Sequence, residues 1–357
     1  MVSRSLNRGG AEKHIVELAN ELSQRGFSVC VLAEIGELAR HLNTNVHFFN
    51  VHFKRNQYLV YNVSQIYKAI RTIHPDIVHV HDPGLLICCK LNKFITYDYP
   101  LIYTCQNIFD SKSYLYRLGN PLTRTFRLHA DQTICVSKAV LMACITNTRI
   151  PEGKSRVIYN AADFSPYAKM FFKKRDNRPF TMVSVGRLDR QKGFKYLLDA
   201  LALLKAKIPS VRCVIAGDGA ERGSLERQIR YSGLADIVTL PGHVEDIPGL
   251  LKQADIFILP SLWEGLPHAL IEAAASATPI IASDVGGNRE ALDDGHHGIL
   301  IRPESPEAIV DAVLWIYNNM EASRMMALRA QEYAFRKFSF ETMVSMVERV
   351  YIDVLAG

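Results

Sequence analysis

Short apolar runs alternate with amphipathic helical patterns along the chain, and the alternation occurs in two successive series. In the first series the strand-like runs are 27–32, 46–51, 76–80, 100–104, 131–136 and 157–160. In the second they are 181–185, 211–216, 237–240, 255–259, 279–282 and 298–301. Strands that alternate with helices are typical of βαβ units, which build parallel sheets. We therefore predict an α/β chain made of two Rossmann-like, doubly wound domains.

A polar, basic and weakly periodic stretch separates the two series. It predicts an N-terminal domain at 1–162, a linker at 163–177 and a C-terminal domain at 178–357. Helical patterns over about 321–355 close the chain, and the last helix is a candidate for crossing back to the N-terminal domain. Because open α/β domains bind ligands beyond the carboxyl ends of their strands, we expect the two domains to face a central cleft.

The glycine turn Gly9-Gly10 opens the first helical pattern, and in an α/β domain such a turn follows a strand. Only eight residues precede Gly9, and most of them are polar. The first strand is therefore predicted to be missing or truncated.

Composition and charge exclude several classes of protein. The chain is 48% hydrophobic and 22% charged, as in ordinary globular proteins, and has no apolar run of the length that spans a membrane. Its first residues lack the apolar core of a signal peptide, and its seven cysteines lack metal-ligand spacing, so we expect free thiols and a cytoplasmic location.

The charge is uneven between the two halves. Lys and Arg exceed Asp and Glu by 8 in residues 1–160, whereas they fall short by 2 in residues 161–357. A basic half is typical of proteins that meet an anionic partner, such as the inner membrane face or a phosphorylated acceptor. A mildly basic solvated surface explains the same excess equally well.

The stretch 263–272 lies between a strand-like run and an alanine-rich helical run. Glu264 is predicted in the loop at the carboxyl end of the strand, and Glu272 about two turns into the helix. The amides of Gly265 and Leu266 would lie at a helix N-terminus, which attracts anions, and the carboxylates can accept bonds from sugar hydroxyls. Because two glutamates at this spacing are more often a solvated helix face, other motifs must decide.

Two glycine-containing loops follow other strands of the second series. Gly186 and Arg187 follow the strand at 181–185, and Lys192 comes just before the next helix. Two cations at a strand's carboxyl end suit a diphosphate, although solvated loop cations are the commoner case. Gly286-Gly287 follows a later strand and offers backbone N–H groups to a ligand.

Two histidines end a strand in the first series. Strand alternation places His79 and His81 on the same side of the sheet. A metal pair is conceivable, but no third ligand is indicated. His81 is nearer the carboxyl end and is the better candidate for contacting a bound group, while a hydrogen-bonded structural histidine is the alternative.

The order of these motifs resembles that of the group 1 glycosyltransferases, the retaining family four with the GT-B fold. The matching residues are Gly9-Gly10, His81, Gly186-Arg187 with Lys192-Gly193, Glu264 to Glu272, and Gly286-Gly287. The resemblance spans nearly the whole chain and is densest over about 180–302. It implies a retaining hexosyltransferase that moves a sugar from a nucleoside-diphosphate sugar to a glycan or lipid-linked acceptor. Bacterial cell-surface polysaccharide or lipopolysaccharide synthesis would be the setting, with no metal and no nucleic acid.

The resemblance also implies a role for each matching residue. Arg187 and Lys192 would hold the donor diphosphate, Glu264 would contact the transferred sugar, and His81 would lie near the reacting sugar. Glu272 would bind the ribose hydroxyls. The expected donor-binding residues are Gly10, Gly186, Gly242, Val244, Gly265, Leu266, Pro267, Glu272, Gly286 and Gly287. The N-terminal domain would bind the acceptor and the C-terminal domain the nucleotide sugar.

One residue departs from the family pattern, and two other readings stay open. Ala277 stands where the family commonly has glycine, and a left-handed helix end there would cost roughly 1 kcal/mol. The chain could instead be another GT-B enzyme, such as a sugar-nucleotide epimerase, or a truncated nucleotide-binding protein without activity. Net transfer of sugar to an acceptor separates the first prediction from both alternatives.

Overall fold

The computed structural model describes residues 1–7, 9–54, 58–108, 129–148, 150–168, 170, 178–208 and 210–356. The chain divides into two compact units. The first comprises Met1–Asn160 and Glu341–Gly357, and the second comprises Ala161–Phe340. Residues 169 and 171–177 of the predicted linker lie outside the described residues.

Within the described part of the first unit, seven parallel strands form one sheet in the order β3-β2-β1-β4-β5-β6-β7. The strands are β1 Val2–Ser5, β2 Cys30–Glu34, β3 His47–Asn50, β4 Val78–Val80, β5 Leu101–Cys105, β6 Gln132–Cys135 and β7 Ser155–Val157. The described helices between them are α1 Gly10–Gln24, α2 Leu59–Ile73, α3 Pro83–Ile95 and α4 Lys138–Thr148.

The first strand is present, so the prediction that it is missing is wrong. Strand β1 pairs with β2 on one side and with β4 on the other. Val2 and Leu6 are buried in the core, and the guanidinium of Arg4 reaches the Asp82 carboxylate at 3.1 Å. The sequence of this segment is mostly polar because two apolar side chains are enough to anchor so short a strand. The charge of Arg4, which lies between them, is compensated by the ion pair with Asp82.

The described part of the second unit contains a six-stranded parallel sheet in the order β10-β9-β8-β11-β12-β13. Its strands are β8 Phe180–Val185, β9 Val211–Ala216, β10 Val238–Thr239, β11 Ile256–Leu259, β12 Ile280–Ser283 and β13 Ile299–Ile301. Its helices are α5 Phe194–Leu204, α6 Arg222–Tyr231, α7 Ile247–Leu251, α8 His268–Ala275, α9 Asn288–Ala291, α10 Pro306–Asn318 and α11 Met320–Lys337. Every residue of β11 is buried, as expected for a central strand with helices on both faces.

The strand orders of both sheets place a switch point at the centre of each unit. In the first unit the chain moves outward from β1 to β3 and then returns to β4, on the other side of β1. In the second unit the same reversal lies between β8 and β11. Ligands bind beyond the carboxyl ends of the strands at such reversals. The residues that follow β1, β4, β8 and β11 are therefore the ones placed to contact a ligand.

The last helix, α12 Phe340–Ala356, belongs to the first unit except for its initial residue. The guanidinium of Arg25, the residue that caps the C-terminal end of α1, donates to Glu348 at 3.1 Å and to Ser345 at 2.9 Å. Arg156 lies 2.7 Å from Asp353. Val347, Val350 and Tyr351 are buried beneath these polar contacts. The helix is therefore an integral part of the unit that the N-terminal sequence begins.

Two further features of the described chain concern the end of α8 and the length and apolarity of the helices. Ala277, just after α8, has a φ of 54° and is buried, so the helix ends in the left-handed conformation although alanine in place of glycine put that geometry in doubt. Over the ranges that the structure describes, no helix is both long and apolar enough to cross a bilayer.

Candidate active site

A buried lysine–glutamate pair lies beyond the carboxyl ends of β8 and β11. Lys192 Nζ is 2.6 Å from Glu264 Oε1, and only 3% of Glu264 is exposed. The Ser261 hydroxyl donates to the same carboxylate oxygen at 2.6 Å, and the Gln191 amide donates to Oε2 at 3.3 Å. Both oxygens of Glu264 therefore accept hydrogen bonds from the protein, which holds the carboxylate in one orientation.

The local backbone explains why two residues 72 positions apart meet. Strands β8 and β11 are neighbours, so the loops that follow them start side by side. A short 3₁₀ turn, Arg190–Lys192, ends at Gly193, whose φ is 63°. A Cβ at Gly193 would lie 2.2 Å from the carbonyl oxygen of Pro260, so only glycine allows the two loops to approach this closely.

Arg187 occupies a different environment from Lys192. It follows β8 directly, and 65% of its side chain is exposed. Its Nε donates to Asp189 Oδ2 at 2.6 Å. The two cations that were expected to act together therefore stand as one exposed and one buried ion pair, each with its own carboxylate.

Three glycine loops adjoin one another at the carboxyl edge of β8, β9 and β10. The Gly217 N–H donates to the Gly242 carbonyl at 2.7 Å, and the Gly186 N–H donates to Ala216 at 3.0 Å. A Cβ at Gly217 would lie 1.9 Å from the Gly186 carbonyl oxygen. Gly186 and Gly242 are thereby brought together, and Val244 follows two residues further along the Gly242 loop.

The second predicted glutamate lies in helix α8. Glu272 is buried, as is Leu266 in the preceding loop. The sequence placed Pro267 in the first helical turn, whereas its extended ψ of 128° makes it the cap residue, with α8 beginning at His268. Gly265, Leu266 and Pro267 thus form the loop that leads from Glu264 into the helix of Glu272.

The remaining predicted glycine pair precedes another helix. Gly286 has a φ of 51°, and Gly287 is the cap residue of the short helix α9. Their loop follows β12, the strand next to β11. The predicted donor-binding residues of the second unit therefore lie in the loops after β8, β10, β11 and β12 and, for Glu272, in helix α8.

Two predicted residues, His81 and Gly10, belong to the first unit. His81 follows β4, and Gly10 is the first residue of α1, which follows β1. The ring centroids of His79 and His81 are 4.2 Å apart, which agrees with the prediction that they share one side of the sheet. His14 on α1 completes the group, with its ring 5.8 Å from that of His81.

The histidine cluster, His14, His79 and His81, is held in the neutral state. Burial lowers the pKa of His14 to about 4. Burial is also the main reason that the pKa values of His79 and His81 lie well below their usual range, and their mutual proximity adds to the effect for His81. Neutral imidazoles can donate and accept hydrogen bonds but cannot serve as fixed cations.

The two strand-end histidines differ in their hydrogen bonding. His79 Nδ1 lies 2.7 Å from the Tyr351 hydroxyl, and its Nε2 lies 2.7 Å from the Thr104 hydroxyl. Neither ring nitrogen of His81 has a hydrogen-bond partner among the described residues, although its backbone N–H donates to Val2 at 2.9 Å. The geometry therefore separates a structural His79 from a His81 whose ring can bond to a ligand.

Sequence reasoning missed Ser261, Gln191, His14 and Asp189. Gln191 and Asp189 belong to the loop that carries Lys192, and Ser261 lies three residues before Glu264, so proximity in sequence was the available signal. His14 interrupts the apolar face of α1, and a histidine at a core position was the sign to follow. In the described ranges no group of three or more His, Cys, Asp or Glu side chains is arranged to hold a metal ion.

Two sequence families match the chain in succession. Residues 8–165 match Glycosyltransferase Family 4, and residues 168–333 match Glycosyl transferases group 1. A "Putative glycosyltransferase EpsD" of Bacillus subtilis is 27% identical, covering 86% of this chain and 85% of its own. An Escherichia coli protein, "UDP-Gal:alpha-D-GlcNAc-diphosphoundecaprenol alpha-1,3-galactosyltransferase", is 27% identical, covering 92% of this chain and 89% of its own.

A solved structure matches along the whole length. HepE of Anabaena, crystallised with UDP-glucose, superimposes with a TM-score of 0.84 at 21% identity. The match covers 99% of this chain and 98% of that chain. Both sheets and their surrounding helices thus recur in one known two-unit architecture.

Proposed function

Because the chain belongs to the group 1 glycosyltransferases of family four, we propose that it transfers a sugar with retention from a nucleoside-diphosphate sugar to a glycan or lipid-linked acceptor. The predictions of a glycosyltransferase and of the GT-B fold are confirmed. The observation that carries this proposal is the largely buried Lys192–Glu264 pair at the switch point of the second sheet. It combines a cation and a sugar-binding group in one rigid unit.

The leaving group of this reaction is a nucleoside diphosphate, which gains negative charge as the glycosidic bond breaks. Fixed cations stabilise that charge, because they need no reorganisation at the moment of reaction. Lys192 is positioned by Glu264, and exposed Arg187 can bind two phosphate oxygens at once. We assign both cations to the diphosphate and Glu272 to the ribose hydroxyls. The loops that contain Gly186, Gly242 and Gly286 would let the backbone approach the bound donor closely.

Glu264 is better suited to binding the sugar than to attacking its carbon as a nucleophile. Its two carboxylate oxygens accept hydrogen bonds from Lys192, Ser261 and Gln191, which lowers their reactivity toward carbon. We therefore propose that the acceptor hydroxyl attacks the same face that the diphosphate leaves, through an oxocarbenium-like state, and that the departing phosphate takes the hydroxyl proton. Glu264 would contact the sugar hydroxyls, and neutral His81 would donate or accept one bond to the reacting sugar.

For the acceptor, we propose a chemical class. The E. coli relative acts, by its name, on a diphosphoundecaprenol-linked sugar, and this chain aligns with it along most of its length. We therefore propose a lipid-linked or glycan acceptor of bacterial cell-surface polysaccharide or lipopolysaccharide synthesis, reached at the cytoplasmic face of the membrane. The basic excess of residues 1–160 supports an anionic surface as partner.

A thermal-shift series tests the donor assignment. Unfolding is monitored with UDP, GDP, ADP and TDP and with UDP-glucose, UDP-galactose and GDP-mannose. A ligand at 100 times its Kd raises the free energy of unfolding by about 2.7 kcal/mol, so one base should stand out. No shift with any nucleotide would contradict a donor site in this chain.

A conservative variant tests the role of Glu272. Glu272→Gln keeps the shape but removes the charge, so nucleoside diphosphate binding measured by calorimetry should weaken about tenfold. Glu226→Gln, an exposed glutamate on α6, is the matched control. Equal affinity in wild type and Glu272→Gln would reject the ribose assignment.

Release of the nucleotide with net sugar transfer, rather than isomerisation of the donor, would distinguish a transferase from an epimerase.

A further inference from the structure

His79 is the fixed member of the strand-end histidine pair. It is buried, and each of its ring nitrogens is 2.7 Å from a hydroxyl oxygen. One hydroxyl belongs to Thr104 on the adjacent strand β5, and the other to Tyr351 on helix α12. Together the two hydroxyls fix the ring orientation of His79, and in either tautomer one of them accepts a hydrogen bond from the ring while the other donates to it.

His81 takes its orientation from packing. No described residue forms a hydrogen bond to its ring. The ring instead lies against His79, at a centroid distance of 4.2 Å and an interplanar angle of 32°, and meets His14 edge-on at 5.8 Å. Any rotation of the His79 ring would therefore change the surface against which the His81 ring packs.

Tyr351 is held in place by the groups that pack around it. Tyr351 is buried, its ring meets His79 edge-on at 5.7 Å, and Phe27 packs on it at 6.1 Å. The ion pairs of α12 with Arg25 and Arg156 fix the helix on either side. A helix at the far end of the sequence thus delivers one hydroxyl to the switch point of the first sheet.

We propose that Tyr351 is a positioning residue for His81, acting through His79. The hydroxyl of Tyr351 and that of Thr104 clamp His79, and the clamped ring sets the direction in which His81 presents its free nitrogens to a substrate hydroxyl. The inference rests on the proposed function for what His81 binds, but not for how His81 is held.

Histidine NMR tests the clamp without any substrate. Tyr351→Phe removes only the hydroxyl, and long-range ¹H–¹⁵N spectra of the ¹⁵N-histidine-labelled full chain report the tautomer of each ring. His79→Gln and His81→Gln assign the signals. Tyr99→Phe is the matched control, because the Tyr99 hydroxyl also lies in a buried 2.7 Å hydrogen bond, to the Cys89 carbonyl of the same unit.

The expected result is a shift of both the His79 and the His81 ring nitrogens in Tyr351→Phe, and of neither in Tyr99→Phe. Thr104→Val, which removes the other hydroxyl, should reproduce the change. Movement of His79 alone, with His81 unaltered, would overturn the proposal, as would equal shifts in the Tyr99→Phe control. Should Tyr351→Phe fail to fold, Thr104→Val decides by the same criterion.

Turnover of UDP-glucose, followed as UDP release, adds the functional readout. Misorientation of His81 should lower kcat at least about tenfold in Tyr351→Phe, with KM within about twofold, because misplacing a reacting group affects the transition state more than binding. Tyr99→Phe should retain wild-type kcat. If the wild-type protein does not turn over UDP-glucose, the proposed function loses that donor, while the NMR shifts still decide how His81 is held.

Discussion

At the scale of single residues, two of the cation–carboxylate pairs in the second unit, those of Lys192 and Arg187, differ in burial. Lys192–Glu264 is buried, with side-chain exposures of 14% and 5%, whereas Arg187 is 65% exposed beside Asp189. A buried charge that loses its partner is strongly destabilising, but an exposed pair contributes little. The two predicted diphosphate-binding cations should therefore respond differently to substitution.

Lys192→Met should affect both stability and activity. It leaves Glu264 buried without a cation and should lower the free energy of unfolding by about 3 kcal/mol. Activity should fall at least about a hundredfold at a temperature where the variant is folded. Arg187→Met is the control, because its stability should remain within about 0.5 kcal/mol of wild type while its activity falls. The measurements are denaturant unfolding and nucleotide release.

The double variant Lys192→Met/Glu264→Gln distinguishes a coupled pair from two independent groups. Removing the carboxylate charge should restore part of the stability lost in Lys192→Met, with a coupling of about 2 kcal/mol. Additive losses in the double variant would show that the 2.6 Å contact carries no energy and would remove the basis for treating the pair as one unit.

The sequence identified Lys192 and Glu264 but not their contact. Each residue stood in a recognisable motif after a strand, and both loops were assigned to carboxyl ends. Their meeting depends on β8 and β11 being neighbours, which is a property of strand order rather than of either motif. For the same reason the contribution of Tyr351 to the histidine cluster, 272 residues from His79, had no sequence signal.

At the scale of elements, the chain contains one short strand and one helix end that depart from the usual sequence patterns. Strong apolar runs predicted most of the other strands of both sheets, although β7, Ser155–Val157, shares only Val157 with its predicted run 157–160. The strand β1, which was predicted to be missing, is anchored by Val2 and Leu6 alone. The residue type disfavours a left-handed end of α8, yet Ala277 adopts it with a φ of 54°. Tertiary context thus fixes conformations that local propensity disfavours.

Ala277→Gly should stabilise the second unit. The left-handed conformation costs alanine about 1 kcal/mol relative to glycine, so the midpoint of denaturant unfolding should rise accordingly. Ala202→Gly, at an exposed position inside α5, is the matched control and should lower stability by about 0.5–1 kcal/mol. A fall in stability with Ala277→Gly would mean that the buried methyl group outweighs the backbone strain.

The histidine cluster should make the first unit sensitive to acid. Its histidines have lower pKa values when folded than when unfolded, so the unfolded chain binds more protons as pH falls from about 6.5 toward 4. The free energy of unfolding should therefore decrease over that window, by about 1.4 kcal/mol per pH unit for each fully engaged histidine.

His14→Leu measures this contribution. The slope of unfolding free energy against pH between about 6 and 4.5 should decrease by about one proton equivalent, because one buried imidazole is gone. Ile15→Val, at a buried apolar position of the same helix, carries no titratable group and should leave the slope unchanged. An unaltered slope in His14→Leu would show that this histidine is accessible to protons in the folded state.

At the scale of the whole molecule, the excess of basic residues lies in 1–160. The candidates for contacting an anionic surface are the basic residues Lys54, Arg55, Lys90, Lys93, Lys112, Arg117, Arg124 and Arg127. Of these, Lys93 is bonded to Asp98 and Asp131, and Lys90 donates to the His129 carbonyl. Lys54 instead lies over the ring of Tyr61, beside the exposed residues Tyr58 to Val60 at the start of α2. The other candidates, Arg55, Lys112, Arg117, Arg124 and Arg127, lie outside the described residues.

Membrane association should depend on salt and on Lys54. Sedimentation with phosphatidylglycerol vesicles should bring the protein down at low salt and release it at high salt, whereas phosphatidylcholine vesicles should not bind it. Lys54→Gln should weaken binding about fivefold, the equivalent of about 1 kcal/mol for a lysine near an anionic surface. Lys205→Gln in the second unit is the control. Protein that stays in the supernatant at low salt would favour a soluble anionic acceptor.

The membership of α12 in the first unit has a consequence for the order of events during synthesis. The unit opens with residue 1, yet residues 341–357 are needed to complete it, and the whole second unit is made in between. At about 5–20 residues per second, the ribosome needs roughly 10 to 40 s to cross residues 161–340. Throughout that interval the apolar surface that will receive Val347, Val350 and Tyr351 is uncovered, so the half that is translated first is the last to be finished.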